Sequence, residues 1–348
     1  MDIWKKRCRN ICIFVLLLAL LLRLGGAESK KLRNKVQDFF YEPNTAAFLL
    51  YLQTGQAVSP PKAPLPPVTA ATLPPQPSEP EGTTPEEPQE TTPPETITFT
   101  AEEAAGIEMK YTGEFRPDLA GLLTAPVSLD FSGTEPRILI IHTHATEAYA
   151  MEPGWEYDAS ALARTLDPQY NMIRVGDELE AMLTKAGIPV LHDRTLNDYP
   201  SYNSSYTRTL EVIEGYLAQY PSIQMVVDVH RDAFEDGQGN QMGTAVTIDG
   251  TETARLMLVM GSDEGVLSHP GWENNLSWAL KLQALMERDY PGLARPMKLM
   301  VNRYNQHATP GSMLVEVGAA GDTLEDAMTA IRFFGNTLIK AIDGLGLR

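Results

Sequence analysis

Two short segments of the chain combine histidines with carboxylates, and a third places a lone glutamate inside an apolar run. These segments are His142-Thr-His144-Ala-Thr-Glu147, Asp228-Val-His230-Arg-Asp232 and Met313-Leu-Val-Glu316-Val. In the first, His144 and Glu147 form an H-x-x-E pattern at a predicted strand-to-loop turn, where both side chains can face one point. Zinc hydrolases use three nitrogen or oxygen ligands of this kind and keep a fourth position for water. The pattern therefore predicts a zinc site with hydrolytic chemistry.

Such a site needs ligands and a base. His144, Glu147 and His230 are the predicted ligands. His142 shares a strand face with His144 under two-residue alternation, so it is predicted as a ligand, a hydrogen-bond donor behind the ligands or a substrate contact. Zinc lowers the pKa of its water to about 7, and a carboxylate must pass the proton to the leaving amine. Glu316 is the predicted base, because a charge inside an apolar strand is costly to bury without a purpose.

Other polar residues near these segments are candidates for supporting roles. Asp228 or Asp232 is predicted to orient a ligating imidazole, as carboxylates commonly do. Arg231, Asp232, Asn305 and His307 are candidate substrate contacts. Because Arg231 points away from its two neighbours on the strand, pairing with a carboxylate is the favoured interpretation for it.

The remaining residues of metal-binding type are not assigned to the site. His192 follows a predicted strand and stands beside Asp193, so a loop histidine is the favoured interpretation. The two cysteines are Cys8 and Cys12. Their position excludes a disulfide framework or a cysteine zinc cluster in the body of the protein.

Alternating strands and helices must position these residues. Strands are predicted over 137–141, 188–191, 223–229, 245–248, 256–260 and 313–317, and helices over 175–186, 205–220, 272–290 and 324–345. This order predicts an α/β sandwich with a parallel or mixed sheet. In such sheets ligands bind beyond the carboxyl ends of the strands, which is where the polar segments stand.

The folded domain is predicted over residues 98–348, after an N-terminal membrane segment over 1–27. Basic residues there precede an apolar run over 11–22, shorter than the ~20 residues of a typical span. The run suits either a cleaved signal peptide or an uncleaved anchor. The anchor is favoured, and the preceding charges place the rest of the chain outside the cytoplasm.

Two segments connect the anchor to the domain. Residues 28–57 are predicted as a juxtamembrane helical region. Residues 58–97 contain 13 of the 26 prolines, with many threonines and glutamates. This composition cannot form a packed core, and an extended spacer of this length reaches roughly 100 Å. The formal net charge of −17 argues against nucleic-acid binding, because a phosphate backbone would be repelled.

Several stretches between residues 110 and 345 give the chain a specific resemblance. They are His142-Thr-His-Ala-Thr-Glu-Ala-Tyr149, Arg174-Val-Gly-Asp-Glu-Leu179, Tyr202-Asn-Ser-Ser-Tyr206, Asp228-Val-His-Arg-Asp-Ala233, His269-Pro-Gly-Trp-Glu-Asn-Asn-Leu276, Arg303-Tyr-Asn-Gln306 and Leu314-Val-Glu-Val-Gly318. Together they resemble the stage II sporulation protein P family, the engulfment peptidoglycan hydrolases of endospore-forming Firmicutes. The membrane segment and the variable linker fit the layout of that family as well.

The resemblance implies an N-acetylmuramoyl-L-alanine amidase with added endopeptidase activity on peptide cross-links. It implies a fold similar to the zinc amidases, a phosphorylase/hydrolase-like three-layer sandwich with a mixed, mostly parallel sheet. Carried over by motif, the two ligand histidines fall on His144 and His230, and the catalytic glutamate falls on Glu316.

The chain departs from the amidase pattern in two places. The amidases have a ligand glutamate about a dozen residues after the first histidine, and no residue clearly matches that spacing. Glu147 stands much closer, which leaves Glu152 and Glu156 as alternative ligands. Asp322 replaces the asparagine expected after Gly318, with no evident mechanistic consequence.

The resemblance also implies partners and a place of action. These are a membrane complex with stage II sporulation proteins D and M, and a single-pass cell-membrane location with the domain in the intermembrane space of the sporangium. Two alternatives remain open from the sequence. One is a zinc carboxypeptidase acting on wall peptides, and the other is a wall-binding scaffold without catalysis.

Overall fold

The structure is a computed structural model, and it describes residues 96–152, 154 and 156–348. The predicted membrane segment, the juxtamembrane region and nearly all of the Pro-rich linker lie outside the described residues. Among the helices that are described, none is both long and apolar enough to span a membrane.

The described chain alternates strands and helices. The strands are β1 (Met109–Tyr111), β2 (Ile138–Ile141), β3 (Ala159–Ala161), β4 (Arg164–Thr165), β5 (Val190–His192), β6 (Met225–Asp232), β7 (Val246–Ile248), β8 (Thr251–Thr253), β9 (Leu256–Gly261), β10 (Met297–Met300) and β11 (Met313–Ala319). The helices are α1 (Ala101–Gly106), α2 (Leu119–Thr124), α3 (Met172–Lys185), α4 (Ser205–Gln219), α5 (Trp272–Asp289) and α6 (Leu324–Gly344), with a 3₁₀ turn at Gln306–Ala308.

One sheet of seven strands forms the centre, in the order β1-β10-β9-β11-β6-β2-β5. Neighbouring strands are parallel throughout this sheet except for β11 and β9, which are antiparallel. The predicted α/β fold with a mixed, mostly parallel sheet is therefore confirmed. The closer likeness to the zinc amidases stays a prediction.

The residues of β2 explain why helices cover both faces of the sheet. All four of its residues are apolar and buried, a pattern typical of a strand with no solvent-facing side. Ile138 and Ile140 pack into the larger core with the apolar residues of α3, α5 and α6. Leu139 and Ile141 pack on the other face with Ile213 of α4. Alternation along the strand thus builds a sandwich.

Helix caps and a close helix contact fix the larger layer. The Asn171 side chain accepts a hydrogen bond from the Ile173 amide at the start of α3, and Thr323 accepts one from Asp326 at the start of α6. The two helices meet at Gly335, where an added Cβ would lie 2.8 Å from Met182 Sδ. A glycine here lets α6 approach α3 closely.

The predicted elements of the domain are all present, with small shifts at their ends. The edge strand β1 and its neighbour β10 escaped prediction, because they are short and β10 alternates buried and half-buried residues. One shift bears on the site: β6 continues to Asp232, so Asp228 and His230 lie inside a strand and not beyond its end.

Candidate active site

Neighbouring strands bring the predicted residues together. Glu316 of β11 is directly opposite His230 of β6 in a parallel register, and Ile141, the last residue of β2, is opposite Asp228. The loop that leaves β2 therefore carries His144 and Glu147 to the same end of β6. The site follows from three adjacent strands and one loop.

Two imidazoles and one carboxylate form the centre of this group. The rings of His144 and His230 are nearly perpendicular, with centroids 5.3 Å apart. His230 Nδ1 lies 3.7 Å from Glu147 Oε2. All three side chains are buried, so their partners decide their charges.

Asp228 controls His230. Its Oδ1 atom lies 2.9 Å from His230 Nε2. The Thr143 amide donates to the same oxygen, and the Thr143 hydroxyl donates to Oδ2. Burial alone would lower the pKa of His230, but the Asp228 carboxylate, reinforced by Glu147 and Glu316, raises it to about 9. The contact also fixes the ring with Nδ1 toward Glu147.

Arginines hold Glu147 in place. Arg164 Nη2 donates to Glu147 Oε1 at 3.2 Å, and Arg231 Nη1 lies 3.6 Å from the same oxygen. The Arg231 backbone amide donates to Oε2 at 3.3 Å. The favoured interpretation of Arg231, pairing with a carboxylate, is confirmed. Arg164 in turn is held by Asp198, whose side chain is fully buried.

The ring of His144 packs against two tyrosines. Tyr202 stacks on its ring at 4.4 Å, and Tyr206 meets it edge-on at 5.7 Å. Its Nδ1 atom lies 3.4 Å from the Ser205 hydroxyl. Burial, with the charge of His230 beside it, lowers the pKa of His144 to about 3, so His144 is a neutral ring able to offer a lone pair.

Glu316 has the environment predicted for a base. Its Oε2 atom is buried and has no hydrogen-bond partner in the part of the chain that is described. Burial raises the pKa of Glu316 to about 7, with Glu147 and Asp232 adding to the rise and the charge of His230 opposing it. A carboxyl group with this pKa can both accept and return a proton near neutrality.

His142 lies apart from this centre. Its Nδ1 atom lies 3.0 Å from the Val229 carbonyl oxygen, and its Nε2 atom lies 2.8 Å from His192 Nε2. Both ring nitrogens therefore have partners outside the group formed by His144, Glu147 and His230. Burial lowers the pKa of His142 to about 3. The structure thus places His142 with His192, which sequence reasoning had treated as a loop histidine.

The candidate substrate contacts are dispersed. Asp232 pairs with Arg295 at 2.8 Å, and the Asn305 side chain donates to the Tyr206 carbonyl oxygen. His307 lines a separate cavity of about 200 Å³ together with His269. The alternative ligand Glu156 is exposed and its carboxylate accepts from the Gly154 amide.

Arg164, Asp198 and Tyr202 were missed by sequence reasoning. Arg164 begins the short strand β4, and no motif surrounds it. Asp198 and Tyr202 belong to the loop between β5 and α4, in which the Tyr-Asn-Ser-Ser-Tyr motif of residues 202–206 begins. That motif was the available signal, although it did not indicate stacking on a histidine.

Metal-binding geometry can be tested directly on the described side chains. The group whose ligand atoms all lie within 4.8 Å of one another consists of Asp177, Glu180 and His192. The predicted ligands His144, Glu147 and His230 meet in pairs and are not part of that group. Their chemistry still fits zinc, since two imidazoles and a carboxylate converge, Asp228 orients one ring and Glu316 has an orphaned oxygen beside them.

A family model described as stage II sporulation protein P matches residues 70–339. The chain belongs to the stage II sporulation protein P family. All the candidate residues of the site fall within the matched range, so the resemblance seen in the motifs is confirmed.

The matched relatives show how far this likeness extends. Stage II sporulation protein P of Bacillus subtilis is 29% identical over 210 residues, which cover 57% of this chain and 49% of the relative. The chain thus spans about half the length of that relative. The N-acetylmuramoyl-L-alanine amidase AmiC2 of Nostoc punctiforme is 9% identical, with a TM-score of 0.37 over 60% of this chain and 99% of that chain. A likeness this distant establishes neither fold nor activity.

Proposed function

We propose that this member of the stage II sporulation protein P family is a zinc-dependent peptidoglycan hydrolase. Its activity is that of an N-acetylmuramoyl-L-alanine amidase with endopeptidase action on cross-links. The observation that carries the proposal is the buried, unpartnered Glu316 oxygen opposite His230, beside the imidazole of His144 and the carboxylate of Glu147. This is a base next to a set of zinc-type ligands.

His144, Glu147 and His230 would hold the zinc. When bound, zinc lowers the pKa of a water molecule to about 7 and polarises the scissile carbonyl group. Glu316 takes the proton of the attacking water and returns it to the leaving amine. In the amidase reaction this is the L-alanine amine that was bonded to the lactyl carbonyl group, and in the endopeptidase reaction it is the amine of a cross-link peptide bond. A base with a pKa of about 7 suits both steps at neutral pH.

The surrounding residues hold these side chains in position. Asp228 orients His230, Arg164 and Arg231 position Glu147, and Tyr202 supports the ring of His144. Tyr202 is 57% exposed, so its outer surface offers an aromatic contact to the substrate. Several ionisable side chains are thus buried close together in one small region. Such clusters are typical of catalytic sites and are less expected in a protein that only binds the wall.

The setting of this activity is part of the proposal. The domain works outside the cytoplasm, tethered by residues 1–27 and spaced by residues 58–97, on wall material between the membranes of a sporangium. Stage II sporulation proteins D and M are its proposed membrane partners, and septal and engulfment peptidoglycan is its proposed substrate.

Digestion of defined, cross-linked muropeptides tests the proposal. The full chain is incubated with substrate, with and without a chelator, and the products are identified by mass spectrometry. The expected products are free stem peptides with intact glycan, plus uncoupled cross-links, and the chelator should abolish both. Readdition of zinc should restore them.

The alternatives predict different products. Single amino acids released from peptide ends would identify a carboxypeptidase. Sedimentation with the wall without any cleavage would identify a scaffold. Cleavage that resists prolonged chelation would overturn zinc dependence.

A further inference from the structure

A second group of metal-ligating side chains lies where α3 meets β5. Asp177 and Glu180 are three residues apart on α3 and so face the same side of the helix, and His192 is the last residue of β5. His192 Nδ1 lies 3.2 Å from Asp177 Oδ1 and 3.5 Å from Glu180 Oε2. An imidazole therefore faces two carboxylates.

The hydrogen bonds behind His192 determine where its protons sit. A carbonyl oxygen can only accept, so His142 Nδ1 donates to Val229. A neutral imidazole has a single N–H, and in His142 it is on Nδ1. His142 Nε2 therefore carries a lone pair, and His192 Nε2 donates across the 2.8 Å contact. A neutral His192 then has its remaining lone pair on Nδ1.

That lone pair points at negative charge. The His192 side chain is fully buried, and its Nδ1 atom makes no hydrogen bond of good geometry to any described residue. Arg194 donates to both Asp177 and Glu180, and its guanidinium charge stabilises the ionised form of the two carboxylates. A lone pair facing two ionised carboxylates is repulsive unless a positive ion lies among them.

We propose that Asp177, Glu180 and His192 form a binding site for a divalent cation of the zinc or manganese type. One imidazole with two carboxylates suits these ions, because zinc accepts nitrogen and oxygen ligands and manganese prefers oxygen. A metal-bound histidine usually donates its other N–H to a fixed acceptor, and His142 supplies that acceptor here. The site is distinct from the one formed by His144, Glu147 and His230.

Arg194 would compete with a cation for the two carboxylates. Its Nη2 atom donates to Asp177 Oδ1 at 2.6 Å and to Glu180 Oε2 at 2.5 Å, the same two oxygens that face His192. The Arg194 side chain is 48% exposed, so it can move into solvent when a cation arrives. Arg194 balances the carboxylates in the metal-free protein and lowers the affinity for metal.

A cation here would stabilise the loop that supports the candidate active site. The loop that leaves β5 after His192 carries Asn197, Asp198 and Tyr202. Asn197 donates to the His142 carbonyl oxygen, Asp198 holds Arg164, and Tyr202 stacks on His144. Tying the end of β5 to α3 fixes the start of this loop. The proposed role of the cation is structural, because its ligands belong to α3 and β5 and contact His142 and Arg194.

Metal stoichiometry tests the site. The full chain and its variants are stripped with a chelator, saturated with zinc or manganese, and analysed for bound metal per chain. His144→Ala removes the proposed catalytic zinc and so isolates the second site. We expect this variant to keep one ion and the double variant His144→Ala/Asp177→Asn to keep none. Glu180→Gln serves as an independent second variant, and Arg194→Gln should bind the ion roughly fivefold more tightly, the strength of one surface ion pair.

The outcomes separate this proposal from the proposed function. If His144→Ala holds no metal while the wild type holds one, the second site is overturned and the catalytic zinc stands. If His144→Ala and the wild type hold the same single ion, which Asp177→Asn removes, the second site stands and the catalytic ligand set is wrong. Circular dichroism of each variant ensures that loss of metal is not loss of fold.

Discussion

At the residue scale, Glu316 shows how much a single sequence position can reveal. Its neighbours in β11 are apolar and buried, and that contrast was sufficient to predict a functional carboxylate. The strand register then places it opposite His230, which the sequence could not specify because register depends on packing across the sheet. Its missing hydrogen bond is likewise a property of the folded protein.

Replacing Glu316 with glutamine separates a base from a ligand. Glutamine keeps the shape of the side chain but cannot accept the proton. We expect zinc content and the thermal midpoint to stay near wild type, with turnover on muropeptides reduced by about 10²–10⁴-fold. The midpoint should not fall, since removing a buried charge relieves its desolvation.

His144→Ala is the matched control for this substitution. It should lose both the catalytic zinc and turnover, because two remaining ligands hold zinc poorly. Loss of zinc in Glu316→Gln would instead make Glu316 a ligand and Glu147 the better candidate for the base. Full activity with zinc retained would remove this strand from the active site.

Other residues show where sequence reasoning stops. His142 and His144 are two positions apart and were predicted to share a strand face, but β2 ends at Ile141, so alternation no longer applies to them. Their rings consequently turn to different partners. Arg164 and Asp198 are brought to Glu147 and Thr146 only by tertiary packing, and no periodic pattern could have indicated this.

At the element scale, a glycine inside α3 is explained by the side chains that pack against the helix and not by helix propensity. Glycine is less favourable than alanine inside a helix by about 1 kcal/mol, yet Gly176 lies in the first turns of α3. A Cβ at this position would lie 2.5 Å from His192 Nε2 and 2.6 Å from His142 Nε2. The missing side chain leaves space for the paired imidazoles.

Gly176→Ala therefore should destabilise the protein in spite of the better helix propensity of alanine. Overpacking of this kind costs about 1–3 kcal/mol, and the free energy of unfolding from denaturant titration measures it. Gly215→Ala is the matched control on α4, where an added Cβ meets nothing within 4 Å. That substitution should raise the free energy of unfolding by roughly 0.5–1 kcal/mol. Equal effects of the two changes would show that the histidine pair is not tightly packed.

The elements themselves were largely predictable because their signals are local. Buried apolar runs indicated β2, β6, β9 and β11, and amphipathic stretches between the strands indicated the helices. The order of the strands was not predictable. The strand β9 pairs with β11 in an antiparallel direction. This pairing depends on which apolar faces pack together, and the order of the strands along the chain does not determine it.

At the scale of the whole molecule, composition divides the chain more sharply than any motif. Half of its prolines lie within residues 58–97, whereas every described strand and helix begins after that segment. A Pro-, Thr- and Glu-rich segment acts through its length and stiffness when it has no binding motif. We therefore expect these residues to set the distance between the proposed anchor and the proposed catalytic domain.

Three versions of the full chain test this expectation: the wild type, a version with residues 58–97 scrambled at constant composition, and a version with them deleted. Soluble muropeptides need no reach, so all three should cleave them at equal rates. Intact wall is different, because a domain tethered without its spacer loses roughly 100 Å of range. In sporulating cells lacking their own family member, the scrambled chain should therefore support engulfment, and the deletion should not. A scramble that fails in cells as badly as the deletion would mean that the segment is read by a partner. Failure of the deletion on soluble muropeptides would mean that the segment belongs to the folded domain.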